Sequence, residues 1–159
     1  MGGGMSSRLF DEVREKRGLA YYVRSSSDEY VDCGTFVSTA GIDPKRVIDA
    51  LEVIVEQYGL IASGSLKITP EELKKAKEYM KGHLVLELED SRSVSTFYGH
   101  QELLEKDVLN PDQILKLIDN VTVDEIDAVG KKYFVADGLN LALIGNYEDE
   151  DKLKELLKF

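Results

Sequence analysis

The chain reads GGGMSSRLFDEVREKRGLAYYV over residues 2–23, and this stretch decides the fold. A glycine run is followed by a segment in which Leu9 and Val13 lie one helical turn apart, as they would on the apolar side of a short helix. Basic residues then occupy what would be its last turn, where positive charge suits the helix dipole. Gly18 can adopt the left-handed conformation that ends helices. The stretch therefore predicts a helix, a stop and a strand starting near Leu19.

Helix starts are marked along the rest of the chain by proline at the first helical position and by capping side chains. We expect helices to begin at Asp43-Pro44, Thr69-Pro70, Asp90-Ser91, Asn110-Pro111 and Thr122. The first of them has an apolar stripe made of Val47, Ala50, Leu51, Ile54, Val55 and Tyr58. A short last helix is expected around Leu153, with the acidic run 148–151 as its first turn, where negative charge is favourable.

Strands are fewer than helices in this sequence. Residues 19–26 and 31–39 predict a hairpin that turns at Asp28-Glu29, with Cys33 packed in the core, and residues 139–144 predict a third strand. We therefore expect one α+β domain over residues 1–159, with helices packed on one face of a mainly antiparallel sheet. Three strands would leave an edge exposed, so we also expect the chain to self-associate.

The overall composition excludes some classes of partner. The net charge is −10, with 30 acidic and 20 basic side chains. A nucleic-acid-binding protein needs a surplus of Lys and Arg, and an anionic membrane surface attracts the same residues. No apolar run is long enough to span a bilayer. The single cysteine allows no internal disulfide, which fits a reducing compartment. We expect a soluble, cytoplasmic protein that binds neither nucleic acid nor membranes.

The opening stretch closely resembles the C-terminal half of zinc peptidases of the M16 family, which includes insulinase and the mitochondrial processing peptidase. The shared features are the glycine run, the Ser-Ser-Arg-Leu start of the helix and the Gly-Leu-Ala-Tyr exit from it. Residues 68–82 and 139–146 resemble the family more weakly. The resemblance implies the M16 half-domain fold. It also implies a strand and a helix upstream of Gly2, so the chain is expected to be a truncated half.

The resemblance also implies a division of labour between two halves. The N-terminal half carries a His-x-x-Glu-His zinc motif, and the C-terminal half contacts the peptide substrate through an Arg and a Tyr seven positions apart. Arg14 and Tyr21 match those positions, and Gly2, Gly3 and Gly4 match a flexible loop on the substrate side. The plain alternatives are a surface arginine, a half-buried strand tyrosine and a disordered terminus.

Metal binding by this chain alone is not expected. His83 and His100 are its only histidines, and His-x-x-Glu-His does not occur. Because a catalytic zinc needs three protein ligands, we expect zinc and the general base in the partner half, with no cofactor in this one. No base lies near Cys33 in the sequence to activate it as a nucleophile.

These observations lead to one main hypothesis and two alternatives. The main one is a non-catalytic, substrate-binding half of an M16-like zinc metallopeptidase, inactive alone and working with a half that bears His-x-x-Glu-His. The first alternative is a structural or assembly subunit of the same fold, without a role in catalysis. The second is an unrelated α+β ligand-binding domain, which would require the opening motif to be coincidental.

Overall fold

The sheet of the protein is a two-stranded antiparallel hairpin of β1 (Ala20–Glu29) and β2 (Gly34–Ile42). The structure is a computed structural model that describes residues 1–147 and 150–158. The register pairs Val23 with Ala40 and continues without interruption to Glu29 and Gly34. One face of the hairpin is covered by a helix and the other faces water, which is usual for antiparallel sheets.

The turn of the hairpin lies further along the chain than the sequence predicted. Asp28 and Glu29 belong to β1, and the loop spans residues 30–33, closed by a hydrogen bond from the Tyr30 N–H to the Cys33 carbonyl (2.9 Å). Cross-strand pairing, including a bond from the Thr35 hydroxyl to the Asp28 carboxylate, overrides the turn tendency of the acidic pair. The predicted core position of Cys33 is therefore wrong, since this side chain is exposed in the loop.

A short π-helix, Phe10–Glu15, precedes the hairpin and is called the Arg14 helix below. Leu9 and Val13 are fully buried, which confirms the predicted apolar side. Gly18 has φ +57° and ends the helix as predicted. Its N–H donates to the Arg14 carbonyl (2.9 Å), and the next N–H, of Leu19, donates to the Val13 carbonyl (2.8 Å).

Helix α1 (Val47–Ala62) follows a 3₁₀ turn at Pro44–Arg46, and the Asp43 side chain caps this turn by accepting from the Lys45 N–H (2.9 Å). Its predicted apolar stripe is confirmed, because nearly all of these side chains are buried. The core forms where α1 meets the Arg14 helix and the hairpin, and it consists of Leu9, Val13, Leu19, Ala20, Val23, Ala50 and Val53. Burial of such side chains contributes roughly 1.5–3 kcal/mol each for the larger ones.

The central helices are α2 (Pro70–Glu87), α3 (Ser91–Leu104), α4 (Pro111–Asn120) and α5 (Val123–Tyr133). Their predicted starts are confirmed by caps in which a side chain accepts a backbone N–H at the third helical position. The capping residues are Thr69, Asp90, Asn110 and Thr122. Asn110 and Gln113 form a complete capping box.

The predicted third strand is not formed. Among the described residues only β1 and β2 pair, and residues 139–147 follow a 3₁₀ turn (Ala136–Gly138) without strand structure. An apolar run becomes a strand only where a neighbouring strand satisfies its backbone groups, and sequence alone does not supply that neighbour. Helix α6 (Glu150–Leu156) matches the predicted last helix, with Glu150 and Asp151 in its first turn. Residues 148 and 149 of the acidic run lie outside the described residues.

The chain divides into two units: residues 1–66 with the described residues from 130 onward, and residues 67–129. The first unit contains the core described above. The described side chains of the second are all at least partly exposed. The α+β class is confirmed, whereas the single domain stays a prediction. No helix in the described part of the chain is long and apolar enough to cross a membrane.

Candidate functional site

Arg14 is exposed near the end of the Arg14 helix, and no carboxylate among the described residues pairs with it. Lys16 bridges Asp11 (2.8 Å) and Glu12 (2.6 Å), and Arg17 also binds Glu12. Hydrogen bonds from Lys16 and then Arg17 lower the pKa of Glu12, so this carboxylate stays ionised. Asp11 and Glu12 are thus occupied by these two cations. The guanidinium of Arg14 rests 4.8 Å from the ring centre of Phe10.

Tyr21 is the extra residue of a β-bulge. Ala20 pairs with Ile42 and Tyr22 with Gly41, so two steps along β1 oppose one step along β2. The bulge breaks the alternation of the strand: Ala20 and Val23 are buried, while Tyr21 and Tyr22 are 77% and 51% exposed. Bulges often re-aim a side chain beside a functional site. The phenol of Tyr21 therefore faces solvent and is free to meet a ligand.

The Gly18 turn joins these two features directly. Arg14 precedes it and Tyr21 follows it, and the turn is fixed by its two backbone hydrogen bonds. The third predicted feature, the glycine run, divides into different environments. Gly2 is buried against β1, whereas Gly3 is exposed. The Gly2 carbonyl accepts from the Ser25 N–H (2.9 Å), so the run is anchored at this residue.

A chain of hydrogen-bonded hydroxyl groups links β1, β2 and α1, and it was not predicted from the sequence. The Tyr58 hydroxyl donates to the Ser38 oxygen (2.7 Å), and Ser38 shares a hydrogen bond with Ser25 (2.7 Å). Tyr58 is only 8% exposed, and this burial raises the pKa of its phenol despite the bond to Ser38. The helical pattern placed Tyr58 on the buried side of α1. The serines carried no such signal, because their meeting depends on the register of the hairpin.

The described residues do not fit a zinc site. They contain no group of three or more His, Cys, Asp or Glu side chains arranged to hold a metal ion. His83 is exposed on α2 and packs its ring against Tyr79 at 4.3 Å between ring centres. His100 lies on α3. Arg14 offers a charged guanidinium and Tyr21 a phenol, and both groups can donate hydrogen bonds.

Residues 1–80 match the family model described as the peptidase M16 inactive domain. The match covers the Arg14 helix, the hairpin and α1, and it extends into α2. The chain belongs to the peptidase M16 family.

Curated relatives of this M16 chain are named as zinc proteases. It is 38% identical over 150 residues to an uncharacterized zinc protease of Streptomyces coelicolor, a match to 94% of this chain and 32% of that protein. It is 35% identical to the uncharacterized zinc protease YmxG of Bacillus subtilis, over 91% of this chain and 34% of that protein. The M16 chain thus spans about a third of the length of these relatives.

Solved structures agree with the fold. A protease from Helicobacter pylori superimposes with a TM-score of 0.72 at 26% identity, covering 85% of this chain and 32% of that one. Complex III2 from Candida albicans superimposes with a TM-score of 0.70 at 23% identity, covering 80% of this chain and 30% of the other. The second likeness shows the fold alone.

Proposed function

We propose that this chain is the zinc-free, substrate-binding half of an M16-type metallopeptidase, and that Arg14 and Tyr21 contact the peptide. The observation that carries the proposal is the M16 inactive-domain match over the segment that holds both residues. Two features of that segment support it. No acidic side chain in the described part of the chain forms an ion pair with Arg14, and Tyr21, at the bulge, is 77% exposed.

The two side chains suit a peptide carbonyl. A guanidinium offers several N–H donors in a fixed plane, and a phenol offers one O–H donor. Donors aimed at an oxygen that gains negative charge stabilise it most when they are positioned in advance. The short Gly18 turn between the Arg14 helix and β1 restricts the arrangement of these donors before a peptide arrives.

The zinc and the general base belong, in this proposal, to a second polypeptide or segment that carries His-x-x-Glu-His. The donor set of the described residues does not suit zinc. The chain alone should therefore not hydrolyse peptide bonds. We further propose a cytoplasmic location, which the single, exposed Cys33 supports because it forms no disulfide within the chain.

The experiment is a binding titration with fluorescein-labelled casein peptides, followed by fluorescence anisotropy. Arg14→Ala should weaken the affinity by about tenfold, the scale of a lost charge-assisted hydrogen bond. Arg92→Ala removes the same charge from an exposed position on α3 and should leave the affinity unchanged. Equal affinities for all three proteins would remove Arg14 from the site.

An assembly subunit is the second candidate function. It is favoured by the apolar side chains that the helices of residues 67–129 leave in solvent: Val85, Leu86 and Leu103 are 54%, 65% and 82% exposed. Contiguous exposed apolar surface marks interaction sites. Casein peptides that do not bind, together with a stable complex with another subunit, would favour this reading over the first.

A further inference from the structure

We propose that Gly2 is a positioning residue. It links the start of the Arg14 helix to β1 and so fixes Arg14 relative to Tyr21. The expected effect of Gly2 on peptide binding rests on the proposed function, whereas the contacts of Gly2 do not depend on that function. The inference also gives Gly2 a different role from the peptide contact that the glycine run as a whole implied.

Two consecutive carbonyl groups at the start of the chain make this link. The Met1 carbonyl accepts from the Leu9 N–H (3.1 Å), at the start of the Arg14 helix. The Gly2 carbonyl accepts from the Ser25 N–H (2.9 Å), in the middle of β1. We call these two bonds the terminal clamp. The clamp joins the start of the Arg14 helix to the middle of β1, whereas the Gly18 turn joins the end of that helix to the start of β1.

Only glycine fits at the second position of the clamp. A Cβ atom built on Gly2 would lie 2.5 Å from the backbone nitrogen of Ser25 and would also overlap the Ser25 side chain. A side chain could rotate away, but a strand nitrogen cannot, so any larger residue must push the segment off β1. Movement of that kind would break the hydrogen bond between Gly2 and Ser25.

Ser25 is itself held in place from behind. Its hydroxyl bonds that of Ser38, which accepts from the buried Tyr58 on α1. The clamp therefore holds β1 at Ser25, a residue that is connected through Ser38 to the buried Tyr58. Gly2 is buried in this contact and is not positioned to meet a peptide, in contrast to the exposed Gly3.

Amide hydrogen exchange tests the clamp without any ligand. In the unsubstituted chain the Leu9 and Ser25 amides should exchange slowly. Gly2→Ala should speed both by at least about tenfold, while amides of β1 that point at β2 keep their protection. Gly82→Ala is the matched control, since a Cβ there meets nothing within 4 Å, and it should change neither rate. Fast exchange of Leu9 and Ser25 in the unsubstituted chain would overturn the clamp, even if Gly2→Ala proved unable to fold.

A double-mutant cycle tests the positioning role with the labelled casein peptides. Gly2→Ala alone should weaken binding by about tenfold, because small misplacements of binding groups are costly. In the Arg14→Ala background it should weaken binding by less than about twofold, since the residue acts through Arg14. Full additivity would mean that Gly2 contacts the peptide itself and would overturn the inference. Absence of binding by the unsubstituted chain would instead overturn the proposed function, and exchange would still decide the clamp.

Discussion

At the scale of single residues, the site depends on which charges are already paired. Lys16 and Arg17, which follow the Arg14 helix, form ion pairs with Asp11 and Glu12 within it. Exposed pairs of this kind add little stability. These pairs occupy Lys16 and Arg17, whereas no carboxylate among the described residues pairs with Arg14.

The hydroxyl chain gives a prediction on stability. Ser38→Ala should lower the free energy of unfolding by about 1–3 kcal/mol, because the buried Tyr58 hydroxyl loses its partner. Tyr58→Phe should cost less, about 0.5–1.5 kcal/mol, since Ser38 keeps its bond to Ser25. Urea unfolding of the two variants measures both values. A larger loss for Tyr58→Phe would contradict this account of the network.

The same tyrosine predicts a pH dependence. Burial raises the pKa of the Tyr58 phenol above its ordinary value of 10.0. The folded state therefore keeps a proton that the unfolded chain loses, so stability is complete below about pH 10 and falls as the pH rises through the folded pKa. Hydrogen-bonded ion pairs also raise the pKa values of Lys16 and Lys81. These two lysines therefore lower the stability at high pH equally in the unsubstituted chain and in the Tyr58→Phe variant. Tyr58→Phe should thus show a shallower fall of unfolding free energy between pH 9.5 and 11 (roughly the range of tyrosine titration). Parallel curves for the two proteins would refute the assignment.

At the scale of elements, the Gly18 turn sets how the Arg14 helix meets β1. Gly18→Ala should destabilise the protein by about 1–2 kcal/mol, because φ +57° is unfavourable for a residue with a Cβ. Gly82→Ala, inside α2 and facing open space, should instead stabilise it by about 0.5–1 kcal/mol. Thermal unfolding of the two variants shows directly whether each substitution raises or lowers the stability of the protein. Equal shifts would show that the turn conformation is not what Gly18 provides.

The elements that sequence predicts well are those defined by neighbouring residues. Caps such as Asn110 with Gln113 act within one helical turn, and the Gly18 stop acts within a few residues. The position of the hairpin loop and the strand at residues 139–144 were predicted wrongly, because strand formation depends on partners that are distant in the sequence. The pairing of Asp28 with Thr35 decides the loop, and the described chain offers residues 139–144 no strand to join.

The candidate site follows the same division. Arg14 and Tyr21 could be named from the motif, since their spacing along the chain is fixed. The bulge that exposes Tyr21, the burial of Gly2 and the meeting of Ser25 with Ser38 could not, because each requires the register of β1 against another segment. The sequence thus nominates Arg14 and Tyr21 as candidate binding groups, but it does not predict the contacts that hold them in place.

At the scale of the whole molecule, the described sheet has only two strands, and the helices of residues 67–129 expose apolar side chains such as Leu103. Uncovered strand edges and apolar surface favour association. We predict that the isolated chain self-associates, with an average mass by light scattering that rises with protein concentration. Leu103→Lys should reduce this rise. A monomer mass at every concentration would count against the prediction.

The most direct test of the central claim is a peptidase assay with fluorescein-labelled casein and added zinc. The chain is assayed alone and mixed with a His-x-x-Glu-His-bearing half from the same genome, with Arg14→Ala and Arg92→Ala tested in the mixture. We predict cleavage only in the mixture, slowed about tenfold by Arg14→Ala and unchanged by Arg92→Ala. Cleavage by the chain alone, or equal rates for the two arginine variants, would contradict the claim that this chain is a zinc-free half that binds substrate through Arg14.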